Sequence, residues 1–225
     1  MYSIMEGKPG IRIAVLVSGK GRGTNLQAII DACEEGRING SVALVVSTNP
    51  EAPALERARR HNVPTAVLRP REFASDEEFD NALLGLLREH KVDLVCLAGY
   101  MRKLSKRVVD AYRWRIMNVH PALIPSFCGQ GMYGHHVHEA ALEYGVKVSG
   151  VTVHFVDEGY DTGPIILQEA VPVEEDDTPE TLAARILPRE HANYTKAIQL
   201  FAEGRLKVEG RRVRVLEPPK SGESG

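Results

Sequence analysis

The sequence predicts an α/β fold built on an open, mostly parallel twisted sheet, and three observations carry that prediction. Short, near-continuous apolar runs recur along the first half of the chain, as strands covered on both faces require. Between them lie segments whose apolar residues recur at helical spacing. After residue 125 the order changes to two longer apolar strands around one acidic loop, which predicts an antiparallel C-terminal part.

Taken in order, "RIAVLVS" (12–18) is the first strand and "GKGRGTN" the turn that follows it. "LQAIIDACEEG" places Leu26, Ile29, Ile30 and Cys33 on one helical face. "SVALVVST" (41–48) is the second strand, "APALERARRHN" (52–62) a helix and "TAVLRP" a short third strand. "SDEEFDNALLGLLREH" opens with Ser75 as N-cap and Glu78 three residues on, a capping box, and buries Phe79, Leu83, Leu86 and Leu87. "VDLVCLAGY" and "RWRIMNVH" are the fourth and fifth strands. "SFCGQGMYGHH" (126–136) reads as glycine-rich loop and "VHEAALEYG" as a helix. "KVSGVTVHFV" and "GPIILQEAVPV" are the two longer strands around "DEGYDT". A long helix follows, with Pro188 expected to break it. "RLKVEGRRVRVLE" alternates around Glu209-Gly210 as a hairpin, and "PPKSGESG" reads as a disordered tail. The expected division is an N-terminal extension (1–11), one domain (12–208, halves 12–115 and 116–208), and the hairpin end with the tail (209–225).

A chain of 225 residues suits one domain with a sizeable core. Its 43% apolar and 26% charged residues are ordinary for a globular protein. A formal net charge of -2 offers no electrostatic grip on nucleic acid. No apolar run approaches the ~20 residues of a membrane span, and "MYSIMEGKPG" lacks a signal peptide's apolar core. Cys33, Cys96 and Cys128 are odd in number and far apart, which argues against disulfides and a cysteine metal site. A reducing, cytoplasmic location is expected.

Three stretches carry candidate chemistry. In "MNVHPALIP" (117–125), strand alternation places Asn118 and His120 on the same side. Pro121 ends the ladder and holds His120 extended. The pair is either a polar strand exit or an amide donor beside an imidazole, at the carboxyl ends of strands where such folds bind ligands. "SGKGRGTN" (18–25) joins the first strand to the first helix. It reads as a dinucleotide loop, a monophosphate pocket or a tight turn capped by Thr24 or Asn25. Against the first reading, Gly19, Gly21 and Gly23 do not follow G-x-G-x-x-G, and the second strand ends in Ser47-Thr48-Asn49 without an acid. "DEGYDTGP" (157–164) carries three carboxylates, each either solvated or turned to orient His120. In "HHVHE" (135–139) no cysteine or acid cluster completes a metal site, so these histidines read as surface or loop packing and no metal is expected.

Together these residues resemble the glycinamide ribonucleotide formyltransferases, folate-dependent enzymes of purine synthesis. "NVHPALIPSF" matches the N-[IV]-H-P-[SA]-L-[LI]-P signature of enzymes that use 10-formyltetrahydrofolate, and "LAGYMRKLS" (97–105) the segment before it. "HFVDEGYDTGPIILQ" (154–168) and "REHANY" (189–194) match further blocks, and the resemblance spans about residues 12–208. It implies a Rossmann-like formyltransferase sheet, with a ribonucleotide-phosphate half and a folate half. It also implies Asn118, His120 and Asp161 as the catalytic set. Ribonucleotide contacts would come from Gly21, Arg22, Gly23, Thr24, Asn25 and Glu190, in a loop lengthened by Lys20 and Arg22. Thr24 stands where the family has Ser. Folate contacts would come from Met101, Arg102, Lys103, Leu104, Asn118, Val156, Asp157, Glu158, Gly159 and Tyr160. Asp76 stands near a basic residue of the family's folate site, so that contact is expected to be lost. The implied reaction is direct attack of the glycinamide amine on the formyl carbon. Asn118 and a protonated His120 would meet the oxyanion, Asp161 would favour the imidazolium and assist proton transfer from the attacking amine to the leaving nitrogen, and no metal or covalent intermediate is needed. The expected partners are these two small molecules, without nucleic acid or membrane, in a monomer or homodimer. Formyltetrahydrofolate hydrolase, methionyl-tRNA formyltransferase and a sugar-nucleotide formyltransferase are the competing enzymes, and the glycine loop speaks for a ribonucleotide monophosphate against the last. The short segments outside 12–208 are expected to leave no room for the hydrolase's regulatory domain or the tRNA enzyme's basic C-terminal domain. A catalytically silent folate- or nucleotide-binding module is the reading from another class.

Overall fold

In the computed structural model, residues 9–19 and 21–218 are described. Lys20, the first eight residues of the expected extension and residues 219–225 of the expected tail lie outside them. One nine-stranded sheet organises the chain, in the order β3-β2-β1-β4-β5-β6-β7-β9-β8. Strands β1 (Ile11–Val17), β2 (Gly40–Ser47), β3 (Thr65–Val67), β4 (Leu94–Leu97) and β5 (Ile116–His120) pair in parallel. β6 (Val148–Phe155) then pairs antiparallel to β5, and β7 (Ile165–Pro172) antiparallel to β6. The fold class is the one the sequence predicts.

Alternation along β1 shows why its residues are apolar from Ile13 to Val17. Ile13, Val15 and Val17 pack on one face against α1 (Thr24–Glu34), α2 (Pro53–Arg60) and α6 (Pro179–Ala202). Ala14 and Leu16 pack on the other, against α3 (Asp76–Glu89) and α4 (Lys106–Ala111). A strand covered on both faces has no polar side to show. The buried Tyr194 of α6 sets its hydroxyl 2.9 Å from the carbonyl oxygens of both Leu97 and Met117. That contact pins α6 beneath the ends of β4 and β5, where the candidate site begins.

Several elements differ from the sequence reading. Helix α4 is additional: Ser105 caps it by accepting from Val108 N–H at 3.3 Å, and its six residues are too few to show a period. β5 starts at Ile116 rather than Arg113, because Trp114 sits at φ 56°, outside the strand region. α5 (His135–Tyr144) begins two residues early and takes His135 and His136 from the expected loop. Pro188 does not break α6. Leu182 and Ile186 before it and Tyr194, Ala197 and Ile198 after it are buried, and that packing outweighs the ~3 kcal/mol a helical proline costs. Ser75 caps α3 by accepting from Glu78 N–H at 3.2 Å, but the expected capping box is incomplete, because Glu78 accepts from Ala74 N–H (3.0 Å) rather than from that of Ser75. β8 (Leu206–Glu209) and β9 (Arg212–Val215) form the hairpin, and β9 joins the main sheet through Ile165 and Arg212. Among the described residues, no helix is long and apolar enough to cross a membrane.

Candidate active site

The carboxyl ends of β1, β4 and β5 open into one cavity of about 1380 Å³. Asn118 and His120 reach it from β5, as alternation requires. Across the ladder they face His154 and Thr152 of β6. The segment after His120 is fixed by Thr152, whose hydroxyl donates to Ala122 O (2.6 Å) and accepts from Ile124 N–H (3.1 Å). Gln168 adds bonds of 3.0 Å to Ile124 O and to the Thr152 hydroxyl. A buried β6 side chain therefore holds the "PALIP" turn that carries the chain away from the site.

Asp161 arrives from the β6–β7 loop in a left-handed conformation, φ 54°. The turn behind it is possible only with glycine at 163, where any Cβ would collide with the Phe155 carbonyl oxygen. Asp157 builds the loop by accepting from Gly159 N–H (2.9 Å) and the Thr162 hydroxyl (2.5 Å). Of the three carboxylates, only Asp161 faces the β5 pair. Its Oδ1 accepts from Asn118 Nδ2 at 3.3 Å and lies 3.6 Å from His154 Nε2. Its Oδ2 accepts from Gly129 N–H at 3.0 Å and lies 3.8 Å from His120 Nδ1.

The imidazole tautomers follow from their carbonyl partners. His120 Nε2 lies 2.7 Å from Phe127 O and must donate there, so its Nδ1 lone pair faces Asp161. His154 Nδ1 lies 2.8 Å from Phe155 O and donates there, while its Nε2 stands 3.3 Å from Asn118 Nδ2 and 3.6 Å from Asp161 Oδ1. The sequence expected Asp161 to keep His120 protonated. In the structure, burial lowers the His120 pKa, and the Phe127 carbonyl and the Asp161 charge recover only part of the shift. The free protein thus presents a neutral imidazole. Burial would raise the Asp161 carboxyl, but its contacts with His154 and Gly129 N–H hold it below the ordinary value. Cys128 is no competing nucleophile, because burial and the Asp161 charge push its thiol up.

At one end of the cavity lie Gly19, Gly21, Arg22, Gly23, Thr24 and Asn25. Gly23 sits at φ 69°, and a Cβ there would stand 3.0 Å from Ala54 of α2. Neither Thr24 nor Asn25 caps α1: Gly23 is the cap residue, and among the described residues no side-chain cap bond is made to the first turn. Asn25 instead donates to Glu190 at 3.0 Å and leaves its buried Oδ1 without a partner. Burial raises the Glu190 carboxyl, which Asn25 partly offsets. Arg57, not singled out in the sequence, steadies the loop by donating to Arg22 O at 2.6 Å.

The same cavity is also lined by Met101, Arg102, Lys103, Leu104, Val156, Asp157, Gly159 and Tyr160, and Met101 N–H donates to the Ser18 hydroxyl at 3.0 Å, beside the glycine loop. Lys103 sets its ammonium 5.2 Å from the Tyr160 ring centre. Arg102 stacks over Phe79 and is ion-paired at 2.5 Å to Asp76, so Asp76 occupies this cation. Glu158 does not line the cavity; it turns to Arg113 (2.8 Å) and Lys106 (3.5 Å). The sequence reading missed His154, Phe127 O and Gly129 N–H, because strand register and loop closure set their places. It also read His138 as surface or loop packing, whereas His138 is 4% exposed on the cavity wall. Among the described residues, no group of three or more His, Cys, Asp or Glu could hold a metal ion.

Residues 11–198 match the formyl transferase family. The chain belongs to that family. It is 43% identical over 198 residues to phosphoribosylglycinamide formyltransferase of Escherichia coli (strain K12), covering 88% of this chain and 90% of that protein. It is 43% identical over 201 residues to the human trifunctional purine biosynthetic protein adenosine-3, covering 89% of this chain but only 19% of that much longer protein. The crystal structure of glycinamide ribonucleotide transformylase 1 from Symbiobacterium toebii superposes with a TM-score of 0.89 at 52% identity, covering 96% of this chain and 99% of that one. The formyltransferase chain thus carries its fold, polar cluster and cavity on one continuous matched segment.

Proposed function

We propose that this formyltransferase transfers the formyl group of 10-formyltetrahydrofolate to the amine of glycinamide ribonucleotide, a step of de novo purine synthesis. One observation carries the reading. A single cavity is lined by the start of α1, suited to a phosphate, by Asn118, His120 and Asp161, and by apolar and aromatic residues of the loops after β4 and β6, suited to a pteridine. The two named relatives of similar length, both glycinamide ribonucleotide enzymes, support the same substrates.

The chemistry needs no covalent enzyme intermediate. The amine nitrogen attacks the formyl carbon, and the carbonyl electron pair moves to oxygen. Asn118 turns an amide N–H from its long contacts toward the oxyanion. The neutral Nδ1 of His120 takes the proton that the attacking nitrogen sheds. Asp161 then stabilises the imidazolium, and the proton passes to the departing folate nitrogen as its bond to carbon breaks. His120 therefore acts as base before acid, the reverse of a resting imidazolium.

The test is formyl transfer, followed by absorbance of the folate product, with and without glycinamide ribonucleotide. Turnover is expected only with the ribonucleotide. Equal formyl release to water without it would instead identify a hydrolase.

A further inference from the structure

The cavity has a wall that this chemistry leaves unused. Glu180, Ala183, Ala184, Leu187 and Glu190 of α6 line it, at the spacing of one helical face. Opposite stands α5, with His138 turned to the same space. His138 is 4% exposed, its Nδ1 is buried without a partner, and no described residue hydrogen-bonds either ring nitrogen. A buried polar group left unsatisfied costs stability, and native proteins keep few of them. Burial and the neighbouring His135 and His120 bring its pKa down to about 4, so the ring is neutral at physiological pH. An orphaned lone pair is tolerated better than an orphaned N–H, which places the proton on Nε2.

We propose that His138 is a substrate-binding residue whose neutral imidazole N–H donates to an uncharged oxygen of the amine-bearing substrate. This inference rests on the function proposed above. The choice of substrate follows from the wall's position. Helix α6 also carries Glu190, which is bonded to Asn25 beside the glycine loop. The residues of the apolar end come from the loops after β4 and β6 instead. A donor that stays neutral suits an amide or hydroxyl oxygen, since a phosphate is better met by the open start of α1.

The experiment compares the whole protein with His138→Leu and His138→Gln by calorimetry. The probes are glycinamide ribonucleotide and, separately, 5-formyltetrahydrofolate, whose formyl group is on the non-transferred nitrogen. Thermal unfolding of each free protein is measured at pH 7. His138→Leu is expected to weaken ribonucleotide binding about tenfold, the worth of one hydrogen bond. The folate probe should bind within twofold of normal, and the free variant should melt at the same temperature or higher. His138→Gln, which keeps a donor, should recover part of the affinity. Unchanged ribonucleotide affinity in His138→Leu would overturn the inference. So would equal losses for both probes, or a lower melting temperature in both variants, since each marks a packing role. Failure of the unmutated protein to bind the ribonucleotide would sink the proposed function itself, before any variant is compared.

Discussion

At the exit of β5, Asn118, His120 and Asp161 all have partners in the free protein. At the glycine loop, no described side chain caps α1 and Asn25 Oδ1 is buried without a partner. Both ends line one cavity, yet they are prepared differently. The first is held by backbone atoms of a neighbouring loop, with Phe127 and Asp161 both at positive φ. Strain of that kind persists where surrounding bonds over-determine it, and it fixes geometry before substrate arrives. The second end is left unsatisfied, so a ligand supplies the missing partners. Chemistry needs groups whose positions do not wait for substrate, whereas binding gains from groups that have nothing else to hold.

The contrast can be sharpened by a crossed pair of substitutions. Asn118→Ala should lower kcat about 10²-fold, the usual cost of one oxyanion donor, with the ribonucleotide KM nearly unchanged. Asn25→Ala should do the reverse, raising that KM about tenfold and leaving kcat within a few-fold. Steady-state kinetics of the two variants would break the comparison if both parameters moved together in each.

A smaller effect concerns stability. The folded pKa of His138, about 4, lies below the ordinary histidine value, so the unfolded chain takes up a proton first as pH falls. Stability is therefore full above about pH 6.5 and declines below it, by about 2 kcal/mol at pH 5 from this residue alone. The lowered pKa of His120 acts with the same sign in this range, while that of Asp161 acts with it only at pH values near and below the ordinary 3.8. Melting temperature between pH 7 and pH 5 should drop by several degrees. A flat profile would mean that these imidazoles are not buried neutral.

How much was legible in the sequence depended on distance along the chain. Asn118 and His120 were readable because a period of two and one proline act locally. The α3 cap was readable for the same reason, since Ser75 and Glu78 are three residues apart. Asp161 was reached by resemblance, because no spacing says which of three loop carboxylates crosses to β5. His154 was missed because its role comes from the register that sets it opposite Asn118. The Asp161 charge that raises the His120 pKa could be inferred from a motif, while the opposing effect of burial depends on the whole fold. His138 was read only as surface or loop packing, because its spacing does not show what that helix face meets, whereas in the structure the ring is buried on the cavity wall.

The most direct test of the account is the Asp161→Asn variant, with kcat and the ribonucleotide Kd measured on the same preparation. Without the carboxylate, the imidazolium formed on His120 loses its stabilising charge. The account predicts a kcat at least about 10²-fold lower and a Kd within about twofold of normal. A kcat near normal together with a tenfold weaker Kd would contradict it, by making Asp161 a binding group and leaving His120 to work alone.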